Sequence, residues 1–300
     1  MNAPRVNRTE ASGSATAIDD RSFERLAQIA HAEAGIVISE SKRNLVVSRL
    51  ARRLRELGMS DFRSYCDLVE DSRGREERRQ LIFMLTTNVT RFFREYHHFE
   101  ILSRKIMPEL ARRARSGGRV RLWSAGCSSG EEPYSIAMTV LEALPEAPRL
   151  DVRVLATDLD ANMVEAARGG VYRNVDESQL PHTMRERYFR PSEDTPGAVS
   201  AGDALRGILS FSELNLHRDW PMTGAFDVIF CRNVVIYFDA VAQARLWQRF
   251  AEKLVPDGSL FIGHSERVAG PATAVLASDG VTRYRKRPPA GTAGLTGRTA

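Results

Sequence analysis

A change of rhythm near residue 119 constrains this chain more than any other feature. Beyond it, short apolar runs of strand type recur: "VRLWSA", "VRVLATD", "ILSFSEL", "FDVIFC" and "SLFIGH". Helical stretches separate several of them: "EPYSIAMTVLEAL", "ANMVEAARGG" and "AVAQARLWQRFAEKL". Strand and helix alternating in this way predict an α/β domain with a mostly parallel sheet over residues 119–287. The span 172–206 breaks the rhythm. It is long, polar and Pro/Gly-bearing, and reads as an insertion or small subdomain. "AVLASDGVTRYRKR" reads as a closing hairpin that turns at Asp279-Gly280.

Residues 21–115 carry a different pattern, helical with few strand-like alternations. "SFERLAQIAHAEAG" reads as a helix with Ser22 as N-cap and Gly35 as C-cap. "SESKRNLVVSRLARRLRELG" is a second helix, closed by Gly58. Val46, Val47, Leu50, Ala51, Leu54 and Leu57 share one face of it, and Lys42, Arg49, Arg52, Arg53 and Arg55 share the other. "DFRSYCDLVE" and "EERRQLIFMLTT" are two further short helices. The expected organisation is a helical domain over 19–95, a linker helix over 96–118, the α/β domain, and disordered tails at 1–18 and 288–300.

Charge follows the same division. Residues 1–118 hold 22 Lys and Arg against 16 Asp and Glu, and the remainder holds 21 against 22. The positive excess therefore lies in the N-terminal part and suggests an acidic partner there. A hydrophobic fraction of 43% with 27% charged residues is that of a soluble globular chain. No apolar run approaches a membrane span, and no secretory core opens the chain. Cys66, Cys127 and Cys231 are too few and too scattered for a disulfide or zinc framework, so a reducing cytoplasm is the expected compartment.

Four stretches carry chemistry. In "RLWSAGCSSGEEPYS" a strand leads through a small-residue loop into a helix. The loop resembles a nucleotide-binding turn, yet the helix opens on Glu131 and Glu132. A pyrophosphate at that helix end would be repelled. A nucleoside with a cationic tail, such as S-adenosylmethionine, would not. The alternative is that the two acids only complement the helix dipole. "VRVLATDLD" ends a strand on Asp158, where an acid typically takes ribose hydroxyls or shapes a turn. "FDVIFCRNVVIYFD" closes a buried strand on Arg232-Asn233, at the strand end where open α/β sheets bind ligands. Asn233 meets ligand there or shapes the turn. "TTNVTRFFREYHHF" offers Asn88 and Thr90 as polar contacts, and sets Arg94 beside two phenylalanines, where it needs an anionic partner. His97 and His98 lack companions at ligand spacing, so no metal is expected.

Together "TTNVTRFFREYHHF", "LWSAGCSSGEEPYSIA", "ATDLD", "ELNL" and "FCRNVVIYFD" resemble the CheR family, the chemotaxis receptor-glutamate methyltransferases, in order from about residue 20 to 286. The resemblance implies a small all-α domain followed by a class I, Rossmann-like S-adenosylmethionine-dependent methyltransferase domain with an inserted β-subdomain. It implies cofactor contacts at Asn88, Thr90, Arg94, Glu132, Asp158, Asn215, Leu216, Asn233 and Val234, with Arg94 and Asp158 closest to the chemistry. It also implies that the basic second helix (Arg49, Arg52, Arg53) faces the acidic helical bundle of a chemoreceptor. The product would be a glutamate methyl ester with S-adenosylhomocysteine. The span "RPSEDTPGAVSAGDALRG" does not clearly show the glycine-flanked strand that grips a receptor tether in some members. The rival readings are an RNA or small-molecule methyltransferase and a non-catalytic scaffold that binds the cofactor. No basic stretch interleaved with aromatics supports nucleic acid. A monomer is the default.

Overall fold

The computed structural model describes residues 17–173, 175 and 177–288. It divides into two compact units. Of the described residues, one unit holds 17–33 with Val37–Leu85, and the other holds Ala34–Ile36 with those from Thr86 to 288. The break thus falls at Leu85/Thr86, and the segment 86–95 belongs with the second unit. The expected disordered tails lie outside the described residues except at their inner ends. Of these, Ile18 is buried, and its carbonyl accepts from Arg43 Nη1 at 3.1 Å.

The first unit is built from α1 (Asp20–Ala34), α2 (Arg43–Glu56), α3 (Phe62–Glu70) and α4 (Arg75–Leu85). Asp19, not Ser22, caps α1. Its carboxylate accepts from the Ser22 amide at 2.9 Å and from the Ser22 hydroxyl at 2.8 Å, so Ser22 lies one turn inside the helix. Gly35 follows α1 at φ +70°, as a C-terminal glycine should. The apolar stripe of α2 is narrower than the sequence suggests. Val46, Leu50 and Leu54 are buried, whereas Val47, Ala51 and Leu57 are partly exposed.

The basic face of α2 is not uniform. Arg52 is exposed and pairs with Glu56 at 2.9 Å. Arg49 donates to the Met84 carbonyl at 3.0 Å, near the end of α4. Arg53 is structural: its Nη2 and Nε reach the buried Glu77 carboxylate at 2.6 and 3.0 Å, and the Tyr65 hydroxyl donates to the same group at 2.9 Å. A carboxylate out of water persists only with such partners.

The second unit begins with α5 (His97–Ile101), which runs through a π-helical segment, Leu102–Ile106, into α6 (Met107–Arg115). The sheet and its crossovers follow: β1 (Val120–Ala125), α7 (Glu131–Ala143), β2 (Val152–Asp158) and α8 (Ala161–Gly169). An insertion comes next, with β3 (Val171–Arg173), α9 (His182–Tyr188), β4 (Phe189–Pro191), β5 (Ala198–Ala201) and α10 (Asp203–Arg206). It forms a separate antiparallel sheet in the order β3-β5-β4. Gly197 and Gly202 bracket β5, so a glycine-flanked strand is present after all, as the central strand of that sheet. The main fold resumes with β6 (Leu209–Glu213), β7 (Phe226–Cys231), α11 (Ala240–Lys253), β8 (Leu254–Ile262), β9 (Leu276–Ser278) and β10 (Arg283–Lys286).

The main sheet runs β6-β2-β1-β7-β8-β10-β9. The first five strands are parallel; β10 is antiparallel to both its neighbours. Side chains alternate between two cores. Leu122, Val154, Val228 and Phe230 join the core that includes α7, and Trp123, Ile229 and Cys231 join the one that includes α11. The strand order grows away from β1 in one direction and then, from β7, in the other. The switch lies between β1 and β7, and in open α/β sheets the crevice that takes a ligand lies at the carboxyl ends of the strands at such a point.

The Glu77 cluster generates a stability prediction. Glu77→Ala leaves the Arg53 guanidinium and the Tyr65 hydroxyl without their acceptor and is expected to cost about 2–4 kcal/mol. Arg52→Ala, on the same helix but exposed, is expected to cost less than about 1 kcal/mol. Urea denaturation of both variants measures the difference.

Candidate functional site

The loop from Gly126 to Gly130 joins β1 to α7. It is fixed by backbone before any side chain acts. The amides of Gly126 and Cys127 both donate to the Thr157 carbonyl on β2, at 2.8 and 2.9 Å. Gly126 sits at φ +88°, and a Cβ there would fall 2.3 Å from Val234 Cγ2, so only glycine lets the β7 loop close in. From the inserted sheet, the Tyr172 hydroxyl donates to the Ser129 carbonyl at 2.9 Å.

Three carboxylates line this edge. Glu132 accepts from Ser124 Oγ at 2.7 Å and from Arg232 Nη1 at 3.2 Å, so it does more than complement the dipole of α7. Glu131 accepts from Ser129 Oγ at 2.7 Å. Asp158, ending β2, receives the Ser128 amide at 2.7 Å on one oxygen and the Asp160 amide at 3.0 Å on the other. Burial pushes all three above the ordinary carboxylate range, with Arg232 opposing it at Glu132 and backbone amides opposing it at Asp158. Such an edge is short of positive charge. It suits a cation and would repel a phosphate.

Arg232, at the end of β7, organises the crevice. Its side chain is 2% exposed, 3.2 Å from Glu132 Oε2 and 3.5 Å from Glu95 Oε2. It also donates to the Arg94 carbonyl, and its guanidinium carbon lies 5.8 Å from the centre of the Phe99 ring. Glu95 in turn meets His264 Nδ1 at 3.1 Å. Burial would raise the Glu95 carboxyl, but Arg232 and His264 outweigh it and hold the group below its usual range. The sequence pattern marks Arg232 only as the end of a strand, and gives Glu95 no role. A signal exists in the pattern: an arginine that follows the apolar run 228–231 at the end of a buried strand needs acids.

The segment 86–95 closes the crevice. The Asn88 carbonyl accepts from Ser128 Oγ at 3.1 Å, and its side-chain amide lies 3.4 Å from Asp160 Oδ2. Thr90, partly buried, lies two residues on. Phe92 and Phe93 are buried, as their packing role requires, while Arg94 is only partly so. The Arg94 guanidinium donates to the Val89 carbonyl at 3.0 Å, and its charge is felt at Glu132. The expected anionic partner is therefore, within this chain, a carbonyl and a nearby carboxylate. Among the described residues six non-glycines have positive φ. Four of them are here: Phe93, Glu95, Ser128 and Asn233. Each costs roughly 1 kcal/mol or more and marks a backbone held by its surroundings. The Phe93 amide, for one, donates to Ser135 Oγ on α7 at 2.9 Å.

The remaining expected residues fall at neighbouring strand ends. The Leu214 amide donates to the Asp158 carbonyl at 2.8 Å, which places Asn215 and the buried Leu216 beside the end of β2. Asn215 Oδ1 accepts from the His217 amide at 2.8 Å. Asn233 and Val234 follow Arg232, and Glu266 holds their turn. This buried carboxylate accepts from the Val235 amide at 3.2 Å and the Gly263 amide at 2.5 Å, and the amides of Asn233 and Val234 also favour its ionised form. Arg49, Arg52 and Arg53 belong to the other unit.

The pair His97-His98 gains a companion that spacing did not reveal, since Glu95 brings a third ligand-type atom within 4.8 Å of theirs. Physical chemistry there is unfavourable to a cation, because the Arg232 guanidinium already stands 3.5 Å from Glu95 Oε2. His98 bonds Thr282 Oγ1 through Nε2 at 2.7 Å, and burial, Arg232 and His97 drive its pKa down to about 2, so it is a neutral core histidine.

Glu266→Gln removes one of two acceptor oxygens beneath Asn233. It is expected to destabilise the second unit by about 1–3 kcal/mol. Amide hydrogen exchange at Asn233–Val235 is expected to accelerate at least tenfold, and unchanged exchange would rule out this holding role.

Comparison with known proteins agrees with the geometry. Residues 21–86 match the model for the CheR methyltransferase all-alpha domain, and residues 88–283 match that for the CheR methyltransferase SAM binding domain. The chain is 48% identical over 256 residues to a probable chemotaxis protein methyltransferase of Rhizobium etli, covering 85% of this chain and 96% of that one. It is 44% identical over 252 residues to the chemotaxis protein methyltransferase of Escherichia coli, covering 83% and 85%. With the strand order and the edge it builds, these matches place a methyltransferase domain of class I architecture behind a small all-α domain: the chain belongs to the CheR family of chemotaxis methyltransferases.

Proposed function

We propose that the chain transfers the methyl group of S-adenosylmethionine to glutamate side chains of chemoreceptors, leaving methyl esters and S-adenosylhomocysteine. The observation that carries this reading is Glu132: a buried carboxylate at the switch point, held by Ser124 and Arg232, with Glu131 beside it on the same helix end and Asp158 at the end of the neighbouring strand. That setting fits a ligand with a sulfonium and an ammonium group. The glycine loop admits its backbone, and Asp158, whose two oxygens each keep a lone pair beyond their amide bonds, suits ribose hydroxyls. Asn88, Thr90, Arg94, Asn215, Leu216, Asn233 and Val234 complete the cradle.

When bound, the cofactor supplies an electrophilic methyl on a sulfonium. The protein's part is placement. A receptor glutamate is already ionised at neutral pH, so no strong general base is required. Arg94, partly exposed beside Glu132, orients the incoming carboxylate. The Arg232–Glu132 and Arg232–Glu95 pairs hold the walls at fixed distances, which is where positioning yields rate. Excluding water strengthens the attraction between carboxylate and sulfonium. Receptor contact outside the crevice falls to α2, through Arg52 and the Arg49 side of its face; Arg53 contributes by holding that face on Glu77. Among the described residues no helix is long and apolar enough to cross a membrane. A monomer acting in the cytoplasm on the helical domain of the receptor fits this reading.

The direct test uses methyl-labelled S-adenosylmethionine and a membrane fraction carrying the cognate receptor. Label is expected on the receptor and is expected to leave as methanol in mild base. Base-stable label would point to nitrogen and sink the glutamate reading. A second expectation follows from Glu132. Its pKa is raised in the free protein, and a cationic ligand favours the ionised form, so affinity is present above that pKa and lost as pH falls through it. The loss should begin above the ordinary value of 4.5. Calorimetry from pH 8 to about pH 5 is expected to show this, and Glu132→Gln is expected to weaken cofactor binding at least tenfold and flatten the profile.

A further inference from the structure

The crevice has an outer rim that the cofactor site does not explain. Three large apolar side chains stand in solvent on it: Val89 at 75% exposure, Tyr96 at 56% and Ile236 at 49%. A run of contacts links the segments that carry them. Ile236 adjoins Tyr237, whose hydroxyl lies 3.2 Å from the Thr87 amide and 3.3 Å from its carbonyl, two residues before Val89. The Val89 carbonyl holds the Arg94 guanidinium. Glu95 follows, tied to His264 from the loop after β8, and Tyr96 comes next. The rim is thus one run of contacts across the loops that follow β7 and β8 and the segment 86–96.

Its charge is one-sided. The His264 side chain is 72% exposed and fixed through Nδ1. Arg91 and Arg267 are exposed, and Arg94 is partly exposed. The acids beside the rim are already engaged: Glu95 by Arg232 and His264, Glu100 by Arg104 at 3.5 Å, and Asp239 by the Ala242 amide at 2.7 Å. Exposed apolar side chains spaced along such a run, with cations beside them, suit an amphipathic segment that carries both an apolar stripe and carboxylates. A helix meets that need, because residues three and four apart share a face and can set a glutamate between two apolar anchors.

We propose that Val89, Tyr96, Ile236 and His264 form the platform on which the helix bearing the acceptor glutamate docks, laying its apolar stripe across the three hydrophobic side chains and its carboxylate toward Arg94. This rests on the receptor-glutamate reading above. It assigns the acceptor segment to the second unit, apart from the basic face of α2.

The test compares wild type with the double variant Val89→Glu/Ile236→Glu, using labelled cofactor and receptor membranes. Wild type comes first. If it leaves no base-labile label on the receptor, the glutamate reading fails, and the platform falls with it. If wild type labels, the double variant is expected to keep cofactor affinity within twofold and to raise the receptor KM at least tenfold. A wild-type KM would overturn the platform alone. A second measurement identifies the occupant. The three native cysteines are buried, so Ile236→Cys can carry a thiol-linked photocrosslinker selectively. The adduct is expected within about two helical turns of the labelled glutamate. An adduct on any other receptor segment, or none, would overturn the proposal.

Discussion

The second unit depends on one buried cation. Arg232 has a side chain only 2% exposed, and it survives there because Glu132, Glu95 and the Arg94 carbonyl take its donors. Removing any partner of a buried pair leaves a charge uncompensated, at a cost of about 3–5 kcal/mol. Three segments far apart in the chain are therefore locked to each other: 94–95, the start of α7 and the end of β7. None of these contacts is local. Each forms only when the sheet has already set β1 beside β7.

From that lock the site's character follows. Arg232 is shared between Glu132 and Glu95, while Glu131 and Asp158 have no arginine partner among the described residues, and burial still works against the charge of Glu131, Glu132 and Asp158 alike. A cation entering the crevice relieves that tension, and a phosphate would add to it. The strained backbone at Phe93, Glu95, Ser128 and Asn233 belongs to the same arrangement, because left-handed residues let the three loops approach closely enough to share Arg232 and Glu266. Rigid placement suits a reaction whose nucleophile arrives already ionised, since the remaining work is alignment and exclusion of water.

Much of the fold was legible because it rests on local rules. Alternating apolar runs and helical stretches located β1, β2, β7 and α7 closely, and the small-residue loop and Asp158 stood where the switch point requires. Misreadings occurred where a neighbouring residue competed for the same role. Asp19 took the cap expected of Ser22: its carboxylate, one turn earlier, accepts from the Ser22 amide, so the helix starts before Ser22. The stripe on α2 narrowed because only Val46, Leu50 and Leu54 found partners. Arg53 looked like a solvent-facing cation, and only the buried Glu77 on α4 revealed it as a structural one.

The sequence by itself determined the class of architecture, the order of elements and the kind of ligand the β1 loop tolerates, because periodicity, glycine and charge at a helix end act over a few residues. Tertiary structure decided which arginines are buried against acids and which stay exposed, that Glu95 meets Arg232 and His264, and that Glu266 holds the turn at Asn233. Those outcomes turn on contacts between residues as much as 169 positions apart, as in Glu95 with His264. Only the parallel sheet and its crossovers bring such residues within reach of each other.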